Sequence, residues 1–321
     1  MESSSISVCS LTWNLHGETP EPSTVNLILN QDVQKFDMYV VGTEECLSSI
    51  FKSSFLFFMN SKKVWEDLLV DNLGKDDYEV VSSETMNAIH IVVIAKKEIA
   101  KKITNIGTSF MATGFNLGLF SLRNKGAVFT WFKYNNVPMM FINCHLTAYR
   151  ENQPTRNDNY KYITNNMKIT NYAEIFGADS SEVTGKDLMN KFHFILWMGD
   201  YNSRNDLSGK ELLQFIHENK VEEILKGDQL NKAIANGNID MNGFKEYPIH
   251  FSPTYKFIPG EMKKYYINET EGHVPCYADR IFYKVKEDSN IKMNIKSYMT
   301  NGQPTLSDHK PVLLLFNLVL P

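Results

Sequence analysis

Nine short apolar runs set the frame of this chain: Ile6–Trp13, Met38–Val41, Tyr78–Ser82, Ala88–Ala95, Ala127–Tyr134, Met139–His145, Phe192–Trp197, Arg280–Tyr283 and Val312–Leu320. Their lengths are those of strands rather than helices. The tetrapeptide Asn135-Asn136-Val137-Pro138 separates two of them and predicts a hairpin. Helical spacing is confined to Val64–Leu73, Asn157–Phe176 and Ser208–His217, the last opened by a capping serine, Ser208. Many strands with interspersed helices, no repeat and no Pro/Gly/Ser linker predict one layered α+β or α/β domain over residues 1–321. At 43% hydrophobic and 22% charged residues, the chain has the material for a sizeable core. Its net charge of −4 argues against a broad nucleic-acid footprint.

The four cysteines are widely spaced and form no C-x-x-C pattern, which argues against a structural zinc site or a disulfide framework. The opening MESSSISVCSLTW does not read as a signal peptide, and no apolar stretch is long enough for a bilayer span. The sequon Asn268-Glu269-Thr270 is then a chance match. These features predict a soluble intracellular protein.

Polar groups sit where the apolar runs stop. Asn14 follows the first run, Glu44 and Glu45 follow the second, and Asn143 and His145 close the sixth. Asp200 and Asn202 follow Phe192–Trp197 with Arg204 close behind. Asp279 opens one late run, and Asp308 and His309 precede the last. Each alone is an ordinary turn former or surface histidine. Six strand ends gathered at one rim of a sandwich describe instead a site for hydrolysis at phosphorus. Hard oxygens there would hold Mg²⁺, a carboxylate would take a proton from water, and imidazole and amides would steady the phosphoryl oxygens.

These residues resemble the endonuclease/exonuclease/phosphatase superfamily, and within it the inositol polyphosphate 5-phosphatases. The resemblance rests on Trp197-Met198-Gly199-Asp200-Tyr201-Asn202-Ser203-Arg204 and on Pro275-Cys276-Tyr277-Ala278-Asp279-Arg280-Ile281. RNKGAV (123–128), NCHLTA (143–148), RNDNY (156–160), FSPTYKF (251–257) and SDHKPV (307–312) add to it in family order. It implies a four-layered α/β/β/α sandwich of two packed, mainly antiparallel sheets flanked by helices. It implies Glu45 as principal Mg²⁺ ligand, with Asn14 beside it and Asp308 in or near the metal shell. Asp200 would activate water that Asn202 orients, and His309, paired with Asp279, would contact the scissile phosphate near His145. Asn124 and Lys125 would hold the 1-phosphate of an inositol ring, and Tyr255 and Lys256 would reach its 4-phosphate. Arg156, Arg204, Arg280 and His273 complete the groups expected on the substrate. Glu44 replaces the usual Gln, as a supporting residue or one that points away.

The clearest departure is Glu271-Gly272-His273-Val274, where relatives often carry basic side chains. It predicts a weaker preference for 4-phosphorylated substrates. Residues 111–123 hold Phe115, Leu117, Leu119, Phe120 and Leu122, too apolar for an ordinary surface loop. They predict either packing on the core or peripheral contact with a membrane, where apolar residues enter lipid and cations meet headgroups. The expected ligands are phosphoinositide headgroups and soluble inositol phosphates. The expected location is the cytoplasm, transiently at the cytosolic face of membranes. No motif identifies a protein partner. The rival readings are a nuclease or sphingomyelinase-like phosphodiesterase, and a catalytically inert lipid-binding module.

Overall fold

All nine apolar runs form strands, because each buries one or both faces. The computed structural model describes residues 4–29, 35–46, 55–113, 116–117, 120–121, 124–178 and 181–321, with backbone alone for 55–61, 116–117 and 120–121. Its strands begin with β1 (Ser5–Asn14), β2 (Met38–Glu44), β3 (Tyr78–Met86), β4 (Ile89–Lys96) and β5 (Ile103–Ala112). A short ribbon follows, β6 (Asn116–Leu117) and β7 (Phe120–Ser121), and then β8 (Gly126–Tyr134), β9 (Val137–His145) and β10 (Phe194–Asp200). The last are β11 (Lys245–Glu246), β12 (Asp279–Val285), β13 (Lys292–Thr300) and β14 (Val312–Val319).

Two sheets result, ordered β13-β14-β1-β2-β4-β3 and β11-β12-β10-β9-β8-β5. Each is antiparallel except at one central junction, where β1 runs parallel to β2 and β9 parallel to β10. Alternate side chains of both sheets meet between them: Ile6, Val8, Val40 and Val93 from one, Val128, Phe141, Leu196 and Met198 from the other. The remaining faces are covered by helices. Trp13, Tyr39 and Val41 pack under Val25, Trp65 and Leu69, while Phe129, Ile142 and Trp197 pack under Tyr160, Ile163 and Leu188. Three apolar interfaces therefore separate four layers, the expected sandwich.

Local chemistry explains most boundaries. Asn135 and Asn136 both take positive φ (49° and 64°) and close the β8–β9 hairpin, as paired left-handed residues do in the tightest turns. Ser208 caps the helix Gly209–His217 in a reciprocal box with Glu211. The helix expected over 157–176 is instead two, Gln153–Asn166 and Tyr172–Phe176. Between them the chain turns extended at Met167 (ψ 135°), and Met167 and Ile169, two apart, both enter the core. Strands β5 and β13 were not expected. Both lie at sheet edges with part-exposed faces, so their sequences lack a continuous apolar run.

Candidate active site

Strand pairing alone brings the polar ends together. In the second sheet Asp279, Asp200, His145 and Gly126 form one row across β12, β10, β9 and β8. In the first, Asn14 pairs with Glu44. The two rows meet across the sandwich, where Asn14 donates Nδ2–H to Asp200 Oδ2 at 3.0 Å. Gly199 lets β10 lie close along β9 just before Asp200: at φ +140° any side chain would be strained, and its Cβ would collide with the Cys144 carbonyl of β9.

Asp200 is the hub. Its Oδ1 accepts from the Asn202 backbone N–H (2.8 Å), and its Oδ2 accepts from Asn202 Nδ2 (3.2 Å) as well as from Asn14. His145 Nε2 and His309 Nε2 stand 3.3 and 4.0 Å from the same Oδ2. Burial raises the Asp200 carboxyl, but the neighbouring charges of His309, Lys125 and Arg204 outweigh it and hold the group below the ordinary carboxylate range. Asp200 is therefore an ionised acceptor at neutral pH.

His309 is held in the opposite state. Its Nδ1 lies 3.0 Å from Asp279 Oδ2, which also accepts from Thr254 Oγ1 at 2.6 Å. Burial pulls the imidazole down, yet the charge and hydrogen bond of Asp279 overcome this and lift it to about 10. The imidazolium keeps its Nε2–H directed to the side of Asp200. Tyr255 lies against the ring, centroids 4.5 Å apart. His145, by contrast, is held neutral by burial and by Lys125, whose Nζ donates to its Nε2. Lys125 is thus at the site as expected, with Asn124 exposed beside it.

Glu44 does not point away. It is fully buried and accepts from Thr12 Oγ1 at 3.1 Å, and burial with the charges of Asp200 and Asp279 drives its pKa well up. A neutral acid there is chemically close to an amide. Lys256 Nζ and His16 Nδ1 flank Asp308 at 3.2 Å each.

Arg280 and Arg156 occupy roles other than those expected, whereas Arg204 and Asn202 lie beside Asp200 with further contacts of their own. Arg280 is 1% exposed, and its guanidinium donates to Glu246, Asp228 and Asn231, so it joins β12 to the helix Gln229–Ala235 and cannot reach a ligand. Arg156 is spent on the Thr147 and Tyr149 carbonyls and on Gln229. Arg204 is buried, stacked 4.3 Å over Tyr255, and donates to Asn202 Oδ1 at 2.5 Å, while its Nε and Nη1 find no hydrogen-bond partner among the described residues. Asn202 is in turn occupied on both ends, its Nδ2 shared between Asp200 and the Leu146 carbonyl. It buttresses the acid. His16 and Thr254 were missed: His16 follows a strand end with no motif of its own, whereas Thr254 lay inside FSPTYKF without a visible role.

The profile of endonuclease/exonuclease/phosphatase family 2 matches residues 11–315, and the chain belongs to that family. Among its relatives is the zebrafish phosphatidylinositol 3,4,5-trisphosphate 5-phosphatase 2A, 29% identical over 98% of this chain and 24% of that protein. The rat phosphatidylinositol 4,5-bisphosphate 5-phosphatase A is 28% identical over 96% of this chain and 30% of its own length. The chain thus spans about a quarter of the length of the curated relatives it first matches. Among solved structures, the inositol polyphosphate 5-phosphatase domain of SPsynaptojanin, in complex with inositol (1,4)-bisphosphate and calcium ion, superposes with a TM-score of 0.81. It is 25% identical and covers 99% of this chain and 86% of that one. A Cimex nitrophorin in its ferrous NO complex reaches 0.71 at 18% identity over 98% of this chain and 99% of its own, which shows the fold alone.

The donor set fits a divalent cation. Asp308 Oδ1 is buried without a hydrogen-bond partner among the described residues, Glu45 is half-exposed with His145 Nε2 3.9 Å from its carboxylate, and Asn14 Oδ1 accepts from His16 N. All are hard oxygens, the kind that bind calcium or magnesium. Asp200, Asp279 and His309 also cluster within 4.8 Å. That trio is a poorer metal site, because His309 already shares its Nδ1 proton with Asp279 and, as an imidazolium, has no free lone pair.

Proposed function

We propose that this chain is a Mg²⁺-dependent phosphomonoesterase that removes the 5-phosphate from phosphoinositides, such as the 4,5-bisphosphate or 3,4,5-trisphosphate, and from soluble inositol polyphosphates. The observation that carries the reading is the surroundings of Asp200 Oδ2. Two amides hold that ionised oxygen while a charged imidazole stands 4.0 Å away. The similarity to phosphoinositide 5-phosphatases and to a domain holding inositol (1,4)-bisphosphate supports it.

Asp200 holds the attacking water and takes its proton. A phosphate dianion bound beside it draws the carboxyl's pKa upward, toward a value suited to a base. His309 presents Nε2–H to a phosphoryl oxygen, with Asp279 fixing the tautomer. Lys125 adds positive charge at the same face. One O–P bond forms from water as the ring O–P bond breaks, and the departing ring oxygen is protonated, so one water yields an alcohol and inorganic phosphate. When bound by Glu45, Asn14 and Asp308, the cation supplies charge neutralisation to the phosphoryl group.

Phosphate release over a panel of phosphoinositides and soluble headgroups tests the reading, with Asp200→Asn as blank and plasmid nicking as control. Release should fall to the blank in excess chelator and return with added Mg²⁺, and the plasmid should stay intact. Full turnover in chelator would overturn the metal requirement.

We further assign residues 111–123 to peripheral contact with a membrane, and the protein to the cytoplasm and the cytosolic face of membranes. Phe115 and Leu119 lie outside the described residues, as do 114, 118 and 122–123, and Phe120 belongs to the β6–β7 ribbon. Polar replacements at Phe115, Leu119 and Phe120 are expected to cut turnover on vesicles about tenfold, from lost apolar insertion, while sparing soluble substrates. An equal fall on both would remove the membrane role.

A further inference from the structure

The site is assembled from two sheets. Asn14 ends β1 and Glu45 follows β2 in the first, while His145 and Asp200 end β9 and β10 in the second. Glu45 and His145 meet across that seam, Oε1 to Nε2 at 3.9 Å. Below the rim the sheets touch through apolar side chains such as Val40, Val93, Phe141 and Met198. Apolar contact is non-directional, so it holds two sheets together without fixing how far one slides along the other. Hydrogen bonds do fix it, because they weaken steeply with misalignment.

Asn143 supplies such a bond at the seam. It lies on β9, two residues before His145, and is fully buried. Its Nδ2–H donates to the His90 carbonyl at 3.0 Å and to the Thr43 carbonyl at 3.4 Å. Both carbonyls belong to the opposite sheet, where Thr43 of β2 pairs with His90 of β4. Thr43 stands two residues before Glu45. One amide thus ties the strand that delivers His145 to the strand that delivers Glu45. The sequence makes room for it: a Cβ at Gly42 would come within 2.5 Å of the Asn143 Cγ and Oδ1. The backbone at Gly42 is not left-handed, so the missing side chain answers to the amide rather than to the chain's path. Another cross-sheet bond, between Ser82 Oγ and Thr130 Oγ1 at 2.5 Å, joins β3 to β8 in mid-strand, where no reacting group is carried.

We propose that Asn143 is a positioning residue for the reaction. By tying β9 to β2 and β4 it sets the distance between the oxygens that would hold the cation, on Asn14 and Glu45, and the groups that meet water and phosphate, His145 and Asp200. The inference rests on the phosphatase reading above and adds to it a residue that acts through others.

The test measures kcat, KM for a soluble inositol polyphosphate, and Mg²⁺ binding by calorimetry in Asn143→Leu, Gly42→Ala/Asn143→Ala and Ser82→Ala. Asn143→Leu keeps the volume and removes the bond. The double variant returns a methyl group to the space the amide leaves, and carries the test if the leucine packs poorly. A shift of about 1 Å between the two halves is expected to lower kcat roughly a hundredfold in both, with Mg²⁺ bound about tenfold more weakly and KM moved less than about threefold. Ser82→Ala loses a cross-sheet bond of the same kind, so it should lower the melting temperature while kcat and Mg²⁺ binding stay within about twofold. A residue that only fills space or adds stability gives another pattern. Values of kcat and Mg²⁺ affinity within about threefold of the unaltered protein, in either folded Asn143 variant, overturn the proposal, as does an equal loss in Ser82→Ala. If the unaltered protein binds Mg²⁺ but releases no phosphate, the phosphatase reading itself fails and takes this one with it.

Discussion

Asp200→Asn is expected to lower kcat by about a thousandfold, within the range for loss of a positioned general base. The substitution is nearly isosteric, but it replaces an acceptor-only group with one that carries its own donors. Three donors now point at the carboxylate: Asn14 Nδ2, Asn202 N and Asn202 Nδ2. An amide at position 200 can satisfy those on one side only, so some loss of stability should accompany the loss of rate. The two effects separate experimentally. A thermal melt reports the first, and kcat measured well below the melting temperature reports the second. Retention of more than about a tenth of kcat in a folded variant would remove Asp200 from the role of base.

The second large effect concerns the His309–Asp279 pair. With the imidazole lifted to about 10, His309 stays charged through neutrality and deprotonates only as pH rises through that value. Activity that needs the imidazolium should therefore persist to high pH and fall near 10. Asp279→Asn removes the largest raising partner and leaves burial, which depresses the imidazole, opposed by the charges of Asp200 and Asp308 alone. The basic limb should move down toward the ordinary histidine value of about 6.5, so that activity at pH 9 drops more than about tenfold while much survives at pH 6. A pH profile of kcat/KM checks this, and an unshifted basic limb would show that His309 is not the group that titrates. The same linkage acts on stability. A raised pKa contributes stability that is complete below about 6.5 and is lost progressively as pH climbs through 10.

The site's outline was legible in the sequence because short motifs carried both the strand and the polar group that ends it. Phe192–Trp197 announced itself as a buried strand, and Asp200 followed from the Gly199 that comes after it; the strand in fact runs from Phe194 through Asp200. What a motif cannot say is which way a side chain faces. Arg280 is the instructive case: it follows Asp279 on β12, and adjacent strand residues point to opposite faces. Once Asp279 is assigned to His309, Arg280 must face away, and the alternation could have placed it among Glu246, Asp228 and Asn231. Arg156 gave no such warning, since it sits on the helix Gln153–Asn166 and its partners are carbonyls invisible to pattern reading. The Asn202 assignment shifted for a different reason. Its residue type suited a water contact, but its amide was already committed to Asp200, Leu146 and Arg204. Edge strands β5 and β13 escaped because half-exposed strands need no apolar run.

The two parallel junctions, β1 with β2 and β9 with β10, have an outcome for how such a molecule can diversify. Strands that run side by side in one direction must be joined by a return path outside the sheet, so both finish at the same margin. Asn14, Glu44, His145 and Asp200 are rooted in that stiff centre, whereas the β6–β7 ribbon and the segment 258–273 lie outside the two sheets. Altering an appendage can retune what is admitted without disturbing the fixed reactive groups. New selectivities on this scaffold therefore cost little of its stability.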